Sequence, residues 1–323
     1  MMAESTSIEF RQVGKRFGTQ DAVKDLNLTI EAGELFVLVG ASGSGKTTTL
    51  KMINRLEETT TGDIYYQNRP LTSIPLRELR LQMGYVLQQI ALFPNMTVAQ
   101  NIGLIPEMKK MPATKIKQRV TALLSEVGLD AQTYAQRLPS DLSGGEQQRV
   151  GIIRAFAAQP QVVLMDEPFS ALDPISRAQL QKLTLKIHQR QKSTIVFVTH
   201  DMNEALQLGD RVGVMQAGKL VQVGSPDDIA QHPANHFVSQ MFASTQTNDI
   251  YGVYLNRLKV LGYLEPMAAI DNTLPAFDNH QTIGEALPAL QKEGAVQINN
   301  GAEPAGKLTN KQLLAFMVKF KKE

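Results

Sequence analysis

The 323-residue sequence has no cysteine. That excludes disulfides and thiolate-bound metals, and it fits a reducing compartment. Nowhere does the chain reach the ~18 consecutive apolar residues expected of a membrane-spanning helix. Its opening, MMAESTSIEFRQV, lacks the basic stretch and apolar run of a secretory signal. A cytosolic start is expected, and any membrane role falls to partners. Charge of one sign is also missing: the formal net charge is +2. Spread over a chain of this size it gives little pull toward nucleic acid, and no such partner is expected. There is no internal repeat and no low-complexity tract.

What remains is the composition of a globular protein, 43% hydrophobic and 20% charged. The length suggests about two domains. Leu35 to Val39, Val162 to Met165 and Ile195 to Val198 are almost continuously apolar, as strands covered on both faces are. Stretches with helical spacing separate them. In Ile175 to Gln189, Leu180, Leu183 and Ile187 share a face. This alternation predicts an α/β fold. The more polar opening region, Ile8 to Glu31, reads as antiparallel strands at one edge. Ser244 to Asp249 has no apolar residue and reads as a linker, dividing the chain into residues 1–243 and 244–323.

After the first buried strand comes Gly40-Ala41-Ser42-Gly43-Ser44-Gly45-Lys46-Thr47, then a helical pattern running to Leu56. This is a P-loop between the strand and helix it requires. Its glycines let backbone N–H groups curl around phosphate oxygens, and the helix N-terminus adds about half a positive charge. Lys46 is expected to reach the β- and γ-phosphates, and the Thr47 hydroxyl to hold Mg²⁺. The second buried strand ends in Asp166-Glu167, at the edge where open parallel sheets gather ligand groups. Asp166 is expected to help hold Mg²⁺, and Glu167 to polarise the attacking water as general base. The third ends in Thr199-His200, whose imidazole suits the γ-phosphate and the attacking water. A separate segment, Leu142 to Arg149 (LSGGEQQR), opens a helix through Ala157 with a serine and two glycines. Ser143 and Glu146 have the spacing of a capping box. Capping alone does not explain two glycines in a first helical turn, whereas anion binding does.

LSGGEQQR, the P-loop and the VVLMDEP strand together resemble the ATP-binding subunits of ABC transporters, over about residues 7–240. The resemblance implies a P-loop ATPase with a parallel core sheet, an antiparallel β subdomain and a helical subdomain. It also implies ATP and Mg²⁺ as cofactors. Two copies would sandwich two nucleotides, with Ser143, Gly144 and Gly145 of one copy meeting the γ-phosphate held by the other. The nucleotide-binding set then comprises Gly40, Ser42, Gly43, Ser44, Gly45, Lys46, Thr47 and Thr48. Phe17, in KRFG, matches a ring that stacks on adenine, with a buried strand residue as the alternative. Gln88, in GYVLQQ, matches a γ-phosphate sensor and Mg²⁺ ligand that links the site to a membrane permease; Gln89 beside it leaves the register open. Leu92 to Met96 would lie near the groove receiving a permease helix. Ser170 to Asp173 matches the loop joining the two subunits, and Asp173 also suits a helix cap.

A closer likeness is to importers of quaternary amines such as glycine betaine, choline and carnitine. It is carried by KMINRLEE, GYVLQQIALFPNMTVAQNI, MDEPFSALDPISR and VTHDMNEA. Importers of methionine or polyamines share much of this wording. Without tryptophan the chain forms no cation–π cage for a methylated ammonium, so selectivity is expected in a permease or a solute-binding protein. The implied location is peripheral, on the cytoplasmic side of the cell membrane. Gln281 to Phe320 resembles a single cystathionine-β-synthase-type module, which makes the C-terminal part a small α+β regulatory domain. Leu313, Met317 and Phe320 are expected to share a helical face there, with Thr309 or Asn310 as cap. A soluble ABC ATPase acting on DNA or the ribosome is the competing class, but those carry coiled-coil insertions or tandem ATPase halves, and this chain shows neither.

Overall fold

In a computed structural model, residues 6–320 are described except 171, 244–250, 252, 268, 272 and 302, and the side chains of 243, 260, 319 and 320. The expected linker, Ser244 to Asp249, lies outside the described residues. The chain divides into two units, Met1–Ala234 and Asn235–Glu323. A helix at His236–Ala243 groups with the second unit. No helix among the described residues is long and apolar enough to cross a membrane.

The first unit opens with β1 (Thr6–Phe17) and β2 (Gln20–Glu31), followed by β3 (Leu35–Gly40) and α1 (Lys46–Ile53). Next come β4 (Thr61–Tyr66), β5 (Arg69–Pro70), α2 (Leu76–Leu81) and β6 (Met83–Val86). Four helices follow: α3 (Val98–Met108), α4 (Ala113–Glu126), α5 (Ala131–Tyr134) and α6 (Gly144–Phe156). The unit continues with β7 (Val162–Asp166), α7 (Pro174–Gln191), β8 (Thr194–Thr199) and α8 (Met202–Leu208). It ends with β9 (Arg211–Gln216), β10 (Lys219–Gly224) and α9 (Pro226–Gln231).

β10-β9-β3-β8-β7-β6 form a six-stranded sheet, parallel except for β10. Every residue of β3, β7 and β8 is buried, which is why those segments read as unbroken apolar runs. On one face Phe36, Leu38, Leu164, Val196 and Val198 join a core with Leu50 and Ile53 of α1 and with Ile8, Phe10, Leu26 and Ile30. Those last four come from the antiparallel sheet β2-β1-β4-β5, the edge structure expected of residues 8–31. Full burial of each such side chain contributes roughly 1.5–3 kcal/mol. The parallel register sets Val39 beside Thr199 and Asp166 beside Val198, so β3, β7 and β8 end on one line. That line carries the site.

α1 is shorter than its sequence pattern. It stops at Ile53, not Leu56, because Leu56 N–H bonds Lys51 O and Arg55 N–H bonds Met52 O in a Schellman closure. Arg55 takes the left-handed position (φ 54°) usually given to glycine, and its guanidinium donates to the Leu71 and Ile74 carbonyls. α7 follows its pattern, with Leu180, Leu183 and Ile187 buried.

The second unit holds α10 (His236–Ala243), α11 (Leu255–Val260), β11 (Ala276–Asp278), α12 (Ile283–Glu293), β12 (Ala295–Asn300), β13 (Glu303–Thr309) and α13 (Asn310–Phe320). β12 is the middle strand, parallel to β11 and antiparallel to β13. α12 begins with a Thr282–Glu285 capping box and buries Ile283, Ala286 and Leu290 against Val296, Ile298 and Leu308. α13 contributes Leu313 and Phe316, with Met317 partly buried beside them. Phe316, one turn after Leu313, stands in the core beside it, and the Phe320 side chain lies outside the described residues.

Candidate functional site

β3 leads into the P-loop, and α1 begins at Lys46 with Gly45 as its N-cap and no side chain capping it. Gly45 has φ 103°, and a Cβ there would stand 2.4 Å from the Ala22 carbonyl oxygen, so only glycine fits. Gly43 is also left-handed (φ 74°), but a Cβ there would meet nothing within 4 Å. Lys46 is 5% exposed, and its ammonium donates to the Gly40 and Ala41 carbonyls at 2.8 and 3.0 Å. Burial pulls its pKa below the lysine range, while Glu167 and Asp166 push it back up. Ser44 Oγ is buried without a hydrogen-bond partner among the described residues. A buried hydroxyl without a partner is uncommon, and a phosphate oxygen in the loop would satisfy it. This cradle fits a polyphosphate.

Thr47 Oγ1 donates to Asp166 Oδ1 at 2.8 Å, joining the first turn of α1 to the end of β7. Burial raises the Asp166 pKa, and the Thr47 bond and nearby Lys51 oppose that. The donors are hard oxygens, and they sit beside a phosphate cradle. Mg²⁺ takes such ligands in small number, completing its shell with water and substrate phosphate. The donor set fits the ion.

Glu167 follows with φ 44°, a left-handed backbone for a residue with a Cβ, held by its N–H bond to the Val198 carbonyl at 2.9 Å. Strained residues of this kind cluster at functional sites. The turn brings Glu167 Oε2 within 2.9 Å of His200 Nδ1, and Gln88 Nε2 donates to the same oxygen at 3.3 Å. The pairing involves Gln88 rather than its neighbour Gln89. Three segments far apart in sequence therefore meet on one carboxylate. Phe17 is 46% exposed at the end of β1, so the alternative of a buried strand residue is set aside.

Ser143, Gly144 and Gly145 lie at the start of α6. Ser143 Oγ accepts from Glu146 N–H at 3.3 Å, and Glu146 Oε2 accepts from Ser143 N–H at 2.7 Å, a complete capping box. The hydroxyl accepts here, which leaves its proton to donate. A Cβ on Gly145 would stand 3.9 Å from Ser176 Oγ, so this turn neighbours the start of α7. Asp173 caps that helix, accepting from the N–H groups of Ile175 and Ser176. The cap and the serine hydrogen bond hold its carboxyl below the usual range.

Sequence reasoning missed the supports behind these groups. Gln148 of α6 donates to the Pro168 carbonyl at 2.5 Å, tying the LSGG helix to the residue after Glu167. Thr199 donates to Glu204 Oε2 at 2.5 Å, and Gln181 donates to its other oxygen at 3.2 Å, bracing the strand end that carries His200. Tyr85 has a buried hydroxyl without a partner among the described residues, and burial and the Asp166 charge both raise its pKa.

The sequence profile described as ABC transporter matches residues 23–170. Over 311 residues the chain is 43% identical to the glycine betaine uptake system ATP-binding protein YehX of Escherichia coli (strain K12), covering 95% of this chain and 99% of that protein. It is 48% identical over 234 residues to the glycine betaine/carnitine/choline transport ATP-binding protein OpuCA of Bacillus subtilis (strain 168), spanning 72% of this chain and 61% of that one. Among solved structures, a dimeric post-hydrolysis state of an ATP-binding cassette bound to ADP and Pi superposes with a TM-score of 0.62. Its identity is 32%, over 68% of this chain and 98% of that one.

Proposed function

The chain belongs to the ABC transporter family of ATP-binding subunits, and from that premise we propose that it powers the import of quaternary-amine osmoprotectants. As a member it binds and hydrolyses ATP. The observation that carries the mechanism is the meeting of Gln88, Glu167 and His200 beside the Lys46 loop.

The phosphates of ATP lie in the cradle of Gly40 to Thr48, with Lys46 turning from its loop carbonyls toward the β- and γ-oxygens. Thr47, Asp166 and the Gln88 amide oxygen would hold Mg²⁺, which when bound would supply positive charge against that developing on the phosphates. Glu167 takes a proton from the attacking water as general base. His200 keeps that carboxylate and the water in register. Ser143, Gly144 and Gly145 of a second copy close over the γ-phosphate through helix N-terminal amides and the serine proton, and Asp173 lies in the loop joining the two copies. A cassette dimer among the similar solved structures supports this pairing.

Closure and reopening of the dimer drive integral membrane permease subunits through the surface after Gln88. This holds the chain at the cytoplasmic face of the membrane, with a solute-binding protein acting indirectly. Both relatives named above carry glycine betaine in their names, which supports the substrate class. Residues 1–243 form the ATPase, and 244–323 a regulatory domain resembling one cystathionine-β-synthase-type module. Its β11-α12-β12-β13-α13 order supports that likeness. Reconstitution with the permease, with ATPase measured against glycine betaine, choline, carnitine, methionine and a polyamine, tests the reading. Stimulation confined to methionine or the polyamine sinks the substrate class. Truncation after Ala243 tests the regulatory part: unchanged dependence on ionic strength removes it.

A further inference from the structure

Lys15 and Phe17 are two positions apart on β1, so they share a face of the strand. The Lys15 ammonium stands 4.7 Å from the centroid of the Phe17 ring, within cation–π range. It is not a loose surface charge. Its side chain is 13% exposed, and Nζ donates to the Glu58 carbonyl at 2.9 Å and pairs with Glu57 Oε2 at 3.1 Å. One residue on, Arg16 N–H donates to Thr60 Oγ1 at 3.0 Å, so the segment before β4 is fastened to this end of β1 at two points. Phe17 nevertheless keeps 46% of its surface exposed. With Lys15 over one face, that exposure falls on the other face and the edge.

We propose that Lys15 is a positioning residue for the nucleobase: its ammonium, anchored by Glu57 and the Glu58 carbonyl, fixes the Phe17 ring so that its free face receives adenine. This rests on the reading of Phe17 as the adenine platform. An exposed phenylalanine at a hairpin end samples several rotamers, and binding a base must select one of them. A cation pinned under the ring makes that selection in advance, and preorganisation of this kind lowers the ordering cost of binding. Lysine is suited to the task because its compact ammonium can meet a carbonyl, a carboxylate and a ring face together.

The test compares a ligand that has the base with one that lacks it, on the full chain. Equilibrium binding of ADP and of inorganic pyrophosphate, both with Mg²⁺, is measured by calorimetry for Phe17→Ala, Lys15→Met and Lys15→Arg. Loss of a stacked base should weaken ADP about tenfold to a hundredfold in Phe17→Ala. Lys15→Met should weaken ADP about threefold to tenfold, while Lys15→Arg, which keeps a cation over the ring, stays within about twofold of the parent. Pyrophosphate should bind all three variants as it binds the parent, which also reports that the P-loop is folded. Unchanged ADP binding in Lys15→Met beside a weakened Phe17→Ala overturns the brace. So does a Lys15→Met variant in which ADP and pyrophosphate weaken together, since that marks a disturbed loop. Unchanged ADP binding in Phe17→Ala overturns the platform itself.

Discussion

Thr47 Oγ1 donates to Asp166 Oδ1 at 2.8 Å across 119 positions of sequence. The bond joins the first turn of α1 to the last residue of β7, and so fixes the P-loop against the strand end that carries Glu167. Residues with separate local reasons to exist become one site because β3, β7 and β8 finish in register.

Glu167→Gln keeps the shape of the side chain and removes its basicity. Phosphate release should fall ~100-fold or more, the scale of losing a general base, while ATP binding persists. Turnover near the parent rate would reassign the base.

Lys46→Met separates binding from folding. The Lys46 ammonium is buried, and burial works against its charge. Replacing it should leave the melting temperature without nucleotide unchanged or higher. The rise in melting temperature on adding Mg²⁺-ATP, which follows RT ln(1 + [L]/Kd), should disappear. A preserved nucleotide-dependent rise would remove Lys46 from the phosphate site.

Gly45→Ala and Gly43→Ala should part company. At Gly45 a Cβ would stand 2.4 Å from the Ala22 carbonyl oxygen, whereas at Gly43 it would enter open space. Both variants bear left-handed strain on the order of 1–2 kcal/mol. Gly45→Ala adds a backbone clash and should melt lower than Gly43→Ala and bind nucleotide more weakly. Equal melting temperatures would contradict the close approach.

Glu204 gives a pH dependence with a definite sign. The residue is 5% exposed, and burial raises its pKa above the ordinary 4.5, with the Thr199 bond opposing. The folded state therefore favours the proton. Stability from this group is complete below the ordinary glutamate range and is lost as pH rises through the raised value. Relative to Glu204→Gln, the parent should lose thermal stability as pH rises above 4.5, by at most ~1.4 kcal/mol per pH unit. A constant offset between the two proteins across that range would mean that Glu204 does not titrate there.

The parts of the site legible in the sequence were those whose chemistry is contiguous. Gly40 to Thr47 needs consecutive amides, Asp166-Glu167 and Thr199-His200 need only a strand end, and Ser143 to Glu146 closes a capping box within four residues. The helical pattern after the P-loop runs three residues past the end of α1, because Arg55 closes the helix in a conformation where glycine is the usual signal. The carbonyls of Leu71 and Ile74 hold that arginine, and nothing nearby in sequence announces them. Gln148 on Pro168 and Lys15 beneath Phe17 were likewise invisible as contacts. The Glu57 and Glu58 groups that anchor Lys15 lie about 40 positions away.

By itself the sequence determined where the P-loop and the LSGG turn lie and which strands are buried, since local periodicity and short-range hydrogen bonding encode both. Only the tertiary structure decided that Gln88 and not Gln89 reaches Glu167, that Phe17 stands exposed with a lysine under it, and that Glu204 braces Thr199. Those choices depend on how strands from distant parts of the chain align. Alignment is fixed by packing and register across the whole sheet, not by any one segment.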